Sequence, residues 1–205
     1  MLKRFKIWCL SALVAAGFVV PMVALAPTAS AYNCAPTWVV GVGGFNGGWQ
    51  DSLYIVANEH VQYDSNNAIA GLDRLRFIMN VHREVCPNDH IKMVGHSQGA
   101  GIVHQWVEEN QWYPNANAIL LADPKMHEWP GGDGFSRELW WMGYPMAGND
   151  DWFGNFPTAT LCQWRDHICR ADSDWNGYFS GVHTWYDFNG FNYGNWEDGA
   201  VYFYD

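Results

Sequence analysis

The stretch that decides the fold of this 205-residue chain reads Ile91-Lys92-Met93-Val94-Gly95-His96-Ser97-Gln98-Gly99. Residues 91–94 are a short apolar run that indicates a strand, and residues 98–112 carry apolar side chains on one side, which indicates a helix. Residues 95–99, where the strand passes into the helix, fit G-x-S-x-G, a sharp strand-to-helix turn that leaves a serine hydroxyl exposed. Ser97 is therefore a candidate nucleophile. The helix that follows it would point its N–H groups at a developing oxyanion.

Strands and helices alternate on both sides of this turn. Continuous apolar runs at residues 37–42 and 118–122 predict two more buried strands, and residues 158–162 could form another. Residues 66–85 carry a helical apolar stripe, whereas residues 53–57 are ambiguous between helix and strand. Continuous apolar strands that alternate with helices are typical of a parallel sheet covered on both faces. We predict an α/β fold, a three-layer α/β/α sandwich with a mainly parallel central sheet, and mostly loops in the C-terminal third.

The N-terminus is typical of a secretory signal peptide. Three basic residues precede a long apolar run, and Ala29-Ser30-Ala31 fits an A-x-A cleavage site. A retained membrane anchor is the alternative, because the apolar run is near the lower length limit for a bilayer span. We expect residues 1–31 to be removed. Residues 32–205 would then form one secreted or cell-envelope domain, a monomer with no integral membrane segment.

The charge balance of the chain excludes one class of partner. The whole chain has 11 Lys and Arg against 21 Asp and Glu. Three of the basic residues and none of the acidic ones lie in residues 1–31, so eight basic residues remain against 21 acidic ones, a net charge of −13. A domain this acidic should not bind nucleic acid or anionic lipid through bulk charge.

The cysteines agree with export. Without Cys9, which lies in the leader, four remain: Cys34, Cys86, Cys162 and Cys169. An even number in a secreted chain indicates two disulfides, with three possible pairings. The short gap favours Cys162–Cys169, and Cys34–Cys86 would then tie the N-terminus to the segment before the serine. These spacings are not C-x-x-C, and no pair of histidines lies beside them as in a zinc site, so we expect no metal site.

A serine nucleophile needs a base and an orienting acid, which in this fold follow in the order Ser, Asp or Glu, His. Four histidines follow Ser97: His104, His127, His167 and His183. His104 lies on the helix after the turn, which indicates a surface or packing role. His183, in a loop near the C-terminus, is the best candidate base.

Two aspartates compete as the acid. Asp123 closes a predicted strand and precedes Pro124, which a plain turn-forming residue also does. Asp166 lies inside the proposed Cys162–Cys169 loop, and the chain-order rule favours it. Its neighbour His167 is a poor partner for it, because adjacent side chains diverge.

Two cysteine-anchored segments resemble the cutinases. Residues 86–100 are similar to the cutinase nucleophile segment, including a cysteine eleven residues before the serine. Residues 162–169 are similar to the cutinase loop whose catalytic Asp lies between two bonded cysteines, and Cys34 matches the first cutinase cysteine. Residues 120–124 also look similar to PE-PPE-type serine hydrolases. The resemblance covers residues 34–183.

The resemblance implies a secreted serine esterase of the α/β-hydrolase fold, with Ser97, Asp166 and His183 as its catalytic triad. It places the oxyanion hole at the main-chain N–H groups of Gln98 and Phe45; Phe45 can offer only its main-chain N–H. It implies no metal and no organic cofactor. The substrate would be a carboxylic ester of a lipid, a polyester or the cell envelope.

Residues 125–157 form an aromatic insert. They would lie over the rim of the site as an acyl-binding wall or partial lid, or form a satellite core beneath a long loop, or stack on a carbohydrate. Two other functions remain open at this point. One is a non-catalytic glycan- or lipid-binding protein on a hydrolase scaffold, and the other is an acyltransferase. The members of the insert that support these readings are Trp129, Phe135, Leu139, Trp140, Trp141, Met142, Tyr144, Trp152, Phe153 and Phe156.

Overall fold

The computed structural model describes residues 34–45, 57–127, 133–150, 153–184, 186 and 200–204. The expected signal peptide lies outside these residues, as does most of the segment that was ambiguous between helix and strand. No helix in the described part of the chain is both long enough and apolar enough to cross a bilayer.

The described strands form one parallel sheet. They are β1 (Thr37–Val42), β2 (Glu59–His60), β3 (His90–His96), β4 (Ala116–Leu121), β5 (Thr158–Gln163) and β6 (Ala200–Tyr204). Their order is β2-β1-β3-β4-β5-β6, and every neighbouring pair is parallel. In the register of the central strands, Gly41 pairs with Val94, Val94 with Ile119, and Ile119 with Ala159. The predicted α/β fold with a parallel sheet and flanking helices is confirmed.

The two long helices form where the apolar stripes predict them. Helix α1 spans Ala68–Val85, and the Asn67 side chain accepts a hydrogen bond from Ala70 N at its start. Pro87 follows its end, where it cannot continue the helix. Helix α2 spans Gln98–Glu109 and ends three residues before the predicted boundary. The shorter elements are helix α3 (Trp175–Phe179) and the 3₁₀ turns Phe135–Arg137, Trp140–Met142 and Val182–Thr184.

Alternate residues of the central strands pack into two cores. Met93 and Leu120 belong to the core that α1 and α2 cover, whereas Val94 and Ile119 belong to a second core on the other face. The second core lies beneath the loop of residues 162–169. Both cores are almost free of solvent, and each large apolar side chain buried in this way contributes roughly 1.5–3 kcal/mol.

The C-terminal third contains more regular structure than the sequence predicts. Strand β6 (Ala200–Tyr204) pairs with β5 and extends the sheet, so the expectation of mostly loops is wrong for this segment. The aromatic and β-branched residues of β6 favour a strand once a neighbouring strand is available to pair with. This partner is distant along the chain.

The aromatic insert divides between core and surface. Phe153 and Phe156 are buried in the core beneath α2, whereas the side chains of Trp140 and Trp141 are 76% and 67% exposed. The Tyr144 hydroxyl donates to the carboxylate of Glu109, the last residue of α2, at 2.5 Å. Tyr144 therefore contacts the end of α2 that is farthest from Ser97, and the buried residues of the insert fit the satellite-core interpretation.

Candidate active site

The candidate residues lie where strands end. In a parallel sheet all carboxyl ends meet at one edge, where loops build ligand sites. Ser97 directly follows β3, Asp166 lies in the loop that follows β5, and residues 43–45 follow β1. His183 lies in the 3₁₀ turn after α3.

The backbone at Ser97 is strained in the way a strand-to-helix turn requires. Its φ of 56° and ψ of −125° lie in a region that a non-glycine residue rarely occupies. The Ser97 N–H donates to Leu121 O at 2.8 Å, and Ser97 O accepts from Ala100 N at 2.9 Å. Strand β4 and the first turn of α2 therefore both hold the turn in place. The side chain stands at the N-terminus of α2, where the helix dipole favours negative charge.

The two glycines of the motif are needed because backbone approaches them closely. A Cβ on Gly99 would lie 2.1 Å from Val42 O, and a Cβ on Gly95 would lie 2.6 Å from Gly99 O. Neither contact can relax by moving a flexible side chain. Glycine at position 99 therefore lets the turn pack against the end of β1, and glycine at position 95 lets the strand approach the first turn of α2.

The loop after β1 lies against the serine. A Cβ on Gly44 would lie 3.0 Å from Ser97 Cβ, so the main chain of the predicted oxyanion loop passes beside the nucleophile candidate. Phe45 follows directly, with a side chain that is 54% exposed. Gln98, the other predicted donor, is the first residue of α2.

Tyr63 joins the two halves of this predicted oxyanion site. Its hydroxyl lies 2.7 Å from Gly43 O and 3.2 Å from Gln98 Oε1. Gln98 Nε2 in turn donates to Ser65 O at 2.8 Å. Burial raises the pKa of Tyr63, so its hydroxyl stays protonated and can donate.

His183 and Asp166 form a buried pair. His183 Nδ1 lies 2.9 Å from Asp166 Oδ2 and 3.0 Å from Asp166 Oδ1. Only 6% of His183 and none of Asp166 is exposed. Burial by itself would raise the pKa of Asp166, but the hydrogen bond and charge of His183, with donors from Tyr186 and Ile168, hold it below its ordinary value. Asp166 therefore stays ionised and accepts from Nδ1–H.

His96 links the serine to the loop of His183. His96 Nε2 lies 2.8 Å from the main-chain O of His183, and the two rings are 4.7 Å apart. Burial lowers the pKa of His96 to about 3. His96 is therefore neutral, and its Nε2–H donates to the His183 carbonyl.

The predicted hydrogen bond between Ser97 and His183 is not formed in this structure. Between the described side chains of Ser97 and His183 there is no hydrogen bond, and the bonds of the imidazole go to Asp166 through Nδ1. The Nε2 atom is on the opposite side of the ring from that carboxylate. Contacts of this kind are often long before substrate binds.

The competing acid has a different partner. Asp123 Oδ2 lies 2.6 Å from His104 Nδ1, and both side chains are fully buried. Burial opposes charge on His104, but the charge and hydrogen bond of Asp123, with Glu108, outweigh it and raise the pKa of His104 to about 9. Lys125 Nζ lies 3.2 Å from Glu108 Oε2. His104 is thus a charged, buried residue of α2, whereas a surface or packing role was predicted.

Of the two remaining histidine candidates, His167 takes a structural role. His167 Nδ1 lies 2.7 Å from Ser173 O, and its ring is 3.9 Å from that of Trp175, so it points away from its neighbour Asp166 as predicted. His127 is exposed.

Both predicted disulfides form. Cys34 bonds to Cys86, with Cα atoms 5.4 Å apart, and Cys162 bonds to Cys169, with Cα atoms 5.8 Å apart. Among the described residues, the one group with ligand atoms close enough to surround a metal ion is Cys34, Cys86 and Asp89. Its two sulfurs are bonded to each other, so it offers no thiolate.

Sequence reasoning missed three residues that hold the site: His96, Tyr63 and Tyr186. His96 lies within the motif and could have been singled out by its position. Tyr63 and Tyr186 carry no such signal, because their partners are distant in sequence or are main-chain atoms.

Solved structures that are similar to this chain include two esterase-type proteins. A cutinase-like protein from Cryptococcus sp. is 13% identical, with 77% of this chain and 84% of that chain covered and a TM-score of 0.49. An acetylxylan esterase is 18% identical, with 74% and 94% covered and a TM-score of 0.50. At these identities the likeness concerns the fold. No curated protein sequence matches the chain.

The family model for cutinases matches residues 49–190, which is more than two thirds of the 205 residues. The match includes the G-x-S-x-G turn, the Cys162–Cys169 loop and His183. The chain belongs to the cutinase family.

Proposed function

We propose that this chain is a secreted serine esterase that hydrolyses carboxylic esters through an acyl-enzyme on Ser97. The observation that carries the proposal is the buried His183–Asp166 pair, 2.9 Å apart, at the sheet edge where Ser97 occupies a strained turn. Membership of the cutinase family supports an ester as the substrate. The two disulfides support an oxidising compartment, and therefore export of the domain after removal of residues 1–31.

In the proposed mechanism His183 acts first as a base and then as an acid. Its Nε2 takes the Ser97 proton while the Ser97 oxygen attacks the ester carbonyl, and it returns that proton to the leaving alcohol. Water then gives a proton to Nε2 while its oxygen attacks the acyl carbon. The ester bond to Ser97 breaks, the acid leaves, and Nε2 returns the proton to the Ser97 oxygen. Asp166 keeps the proton on Nδ1 and stabilises the imidazolium that forms in each half-reaction.

The oxyanion would bind the main-chain N–H groups of Gln98 and Phe45. The hydrogen bonds of Tyr63 support this, because they fix the loop after β1 relative to α2 before substrate arrives. A preformed site needs no reorganisation as charge develops, and one such donor is typically worth about 2.7–4 kcal/mol of barrier.

An apolar ester, lipid-like or from a polyester or the cell envelope, fits the surface beside His183. The Tyr178 ring lies 4.7 Å from the His183 ring, and the adjacent Phe179 side chain is 78% exposed. An acyl chain that covered this ring would remove apolar surface from water, at about 25 cal/mol per Å².

The test is labelling with a fluorophosphonate, together with turnover of p-nitrophenyl esters. The wild type should be labelled at Ser97 and hydrolyse the esters, and Ser97→Ala should lose both properties while remaining folded. Ser136→Ala is the matched control, because the Ser136 hydroxyl is buried without a hydrogen-bond partner among the described residues. Unchanged turnover in Ser97→Ala would refute the proposal. Transfer of the acyl group to an added alcohol in place of hydrolysis would identify an acyltransferase, and a wild type that neither reacts nor turns over would indicate a binding protein.

A further inference from the structure

Tyr186 contacts the acid of the proposed triad. Its hydroxyl lies 2.5 Å from Asp166 Oδ2, and its side chain is fully buried in the second core. We propose that Tyr186 is a positioning residue that holds Asp166 in its catalytic orientation, so that four side chains act together: Ser97, His183, Asp166 and Tyr186. This inference rests on the proposed function.

The direction of the hydrogen bond follows from the surroundings of the phenol. A tyrosine hydroxyl has one proton to donate. Besides Asp166 Oδ2, the Tyr186 oxygen lies 3.6 Å from Cys169 Sγ and accepts from Gln163 N at 3.4 Å. The sulfur belongs to a disulfide and is a weak acceptor, whereas the carboxylate is charged and closer. The proton therefore goes to Asp166.

The carboxylate is held from both sides. Asp166 Oδ1 accepts from Ile168 N at 3.0 Å, and Asp166 Oδ2 accepts from Tyr186. His183 Nδ1 lies within 3.0 Å of both oxygens. Two donors outside the His183 pair thus prevent the carboxylate from rotating about its terminal bond, and the imidazole meets a fixed pair of oxygens.

The segment that carries His183 is also attached twice to the same residue. His183 and Tyr186 are three positions apart, and both bond to Asp166. The Cys162–Cys169 bond closes the loop around Asp166. The base and the acid therefore belong to one cross-linked unit. If the tyrosine hydroxyl were lost, the hydrogen bonds of the His183 imidazole would be the remaining side-chain contacts that the structure shows between this segment and Asp166.

The Tyr186 hydroxyl also weakens the attraction of the Asp166 carboxylate for a proton on His183. A donor to a carboxylate stabilises its negative charge and makes it less basic. Without the Tyr186 hydroxyl, Asp166 attracts the proton of the imidazolium more strongly, so the charged form of His183 becomes more stable. The acid limb of the pH profile of kcat/KM, which reports the base of the free enzyme, would move to higher pH.

The experiment compares Tyr186→Phe with the wild type, using a p-nitrophenyl ester across the pH range. Phenylalanine keeps the ring in the core and removes only the hydroxyl. Tyr113→Phe is the matched control, since the Tyr113 hydroxyl lies 3.3 Å from Met79 O on the other face of the sheet, and 3.4 Å from Arg83 Nε. Both variants lose one hydroxyl from a hydrogen-bonded site.

We expect kcat of Tyr186→Phe to fall roughly tenfold, with KM little changed, because small losses of alignment at a reacting centre are expensive in rate. We also expect its acid limb to move to higher pH. Tyr113→Phe should keep the wild-type kcat and the wild-type limb. An acid limb and a kcat in Tyr186→Phe that equal those of the wild type, per folded molecule, would overturn the inference.

A second measurement covers a Tyr186→Phe variant that does not fold. In the proton NMR spectrum of the wild type, a tyrosine hydroxyl proton should resonate downfield of the amide protons and show cross-peaks to the Tyr186 ring. Its absence would contradict a strong bond to Asp166. Loss of the proposed function is distinguishable, because it would appear as wild-type turnover in Ser97→Ala whatever Tyr186→Phe does.

Discussion

His96 donates a hydrogen bond from Nε2 to the main-chain carbonyl of His183, across 2.8 Å. The residue next to the proposed nucleophile thus holds the backbone of the proposed base, although 87 positions separate them. Because burial lowers the pKa of His96 to about 3, this residue does not change its charge in the range in which an imidazole base works, and its hydrogen bond persists there.

Replacing His96 by phenylalanine should separate the base from the nucleophile. The ring volume stays in place, but the His183 carbonyl loses its donor and the turn can shift. A displacement of about 1 Å at a catalytic group can lower the rate about 10²-fold, so we expect kcat to fall by up to that factor with KM nearly constant. Steady-state kinetics measure this effect.

The control for this variant is His90→Phe. His90 is also a hydrogen-bonded histidine of β3, with bonds from its two ring nitrogens to Asn115 and Asn117, but it lies at the start of the strand, away from the site. Equal losses of kcat in the two variants would show that His96 has no special role.

Two asparagine substitutions distinguish the competing acids. Asp166→Asn should lower kcat about 10⁴-fold with the fold retained, the effect known for the acid of such a triad, because the imidazole adopts the wrong tautomer. Asp123→Asn should instead destabilise the protein by roughly 3–5 kcal/mol, since charged, buried His104 loses the closer of its two carboxylate partners.

Urea unfolding and active-site titration, which counts functional molecules, measure the two effects separately. If Asp123→Asn lost catalysis per folded molecule while Asp166→Asn kept it, the assignment of the acid would be reversed.

Stability should fall on the alkaline side because of His104. Its folded pKa of about 9 is above its unfolded value of about 6.5. The folded state therefore binds the proton more tightly, and this contribution is complete below about pH 6.5 and disappears as pH rises through about 9. We expect the free energy of unfolding to decrease by a few kcal/mol across this window.

Urea midpoints measured between pH 6 and pH 10 test this prediction. His104→Gln removes the titrating group, so its stability should vary less with pH over the same interval. A wild-type curve that is flat from pH 6.5 to pH 9 contradicts the assignment of a charged His104.

The disulfide that contributes more to stability should contribute less to activity. The Cys34–Cys86 bond closes a loop of 52 residues and should contribute about 4 kcal/mol, whereas Cys162–Cys169 closes 7 and should contribute about 2–3 kcal/mol. Activity per folded molecule should follow the reverse order, because Asp166 lies inside the shorter loop.

Paired Cys→Ser variants of each bond, compared by thermal unfolding and by kcat, test this relation. Each pair serves as the control for the other. A long-loop variant with the greater loss of kcat per folded molecule would be incompatible with a positioning role for the short loop.

Local patterns predicted most of the framework. The apolar runs and stripes around Ser97 define strands and helices within a few residues of those observed, because period and turn chemistry are properties of neighbouring residues. Strand β6 escaped prediction, since a short aromatic segment becomes a strand only when β5 offers it an edge.

The sequence by itself determined that a serine would occupy a strained turn between strand and helix, because that turn needs only adjacent residues and two glycines that leave space for backbone. It also supplied the short cysteine loop around Asp166. Only the tertiary structure decided that Asp166 pairs with His183 while Asp123 pairs with His104, and that His96 and Tyr186 support the first pair. These contacts join segments far apart along the chain, and hydrogen bonds of this kind depend on ångström-scale positions that only the packed sheet and loops define.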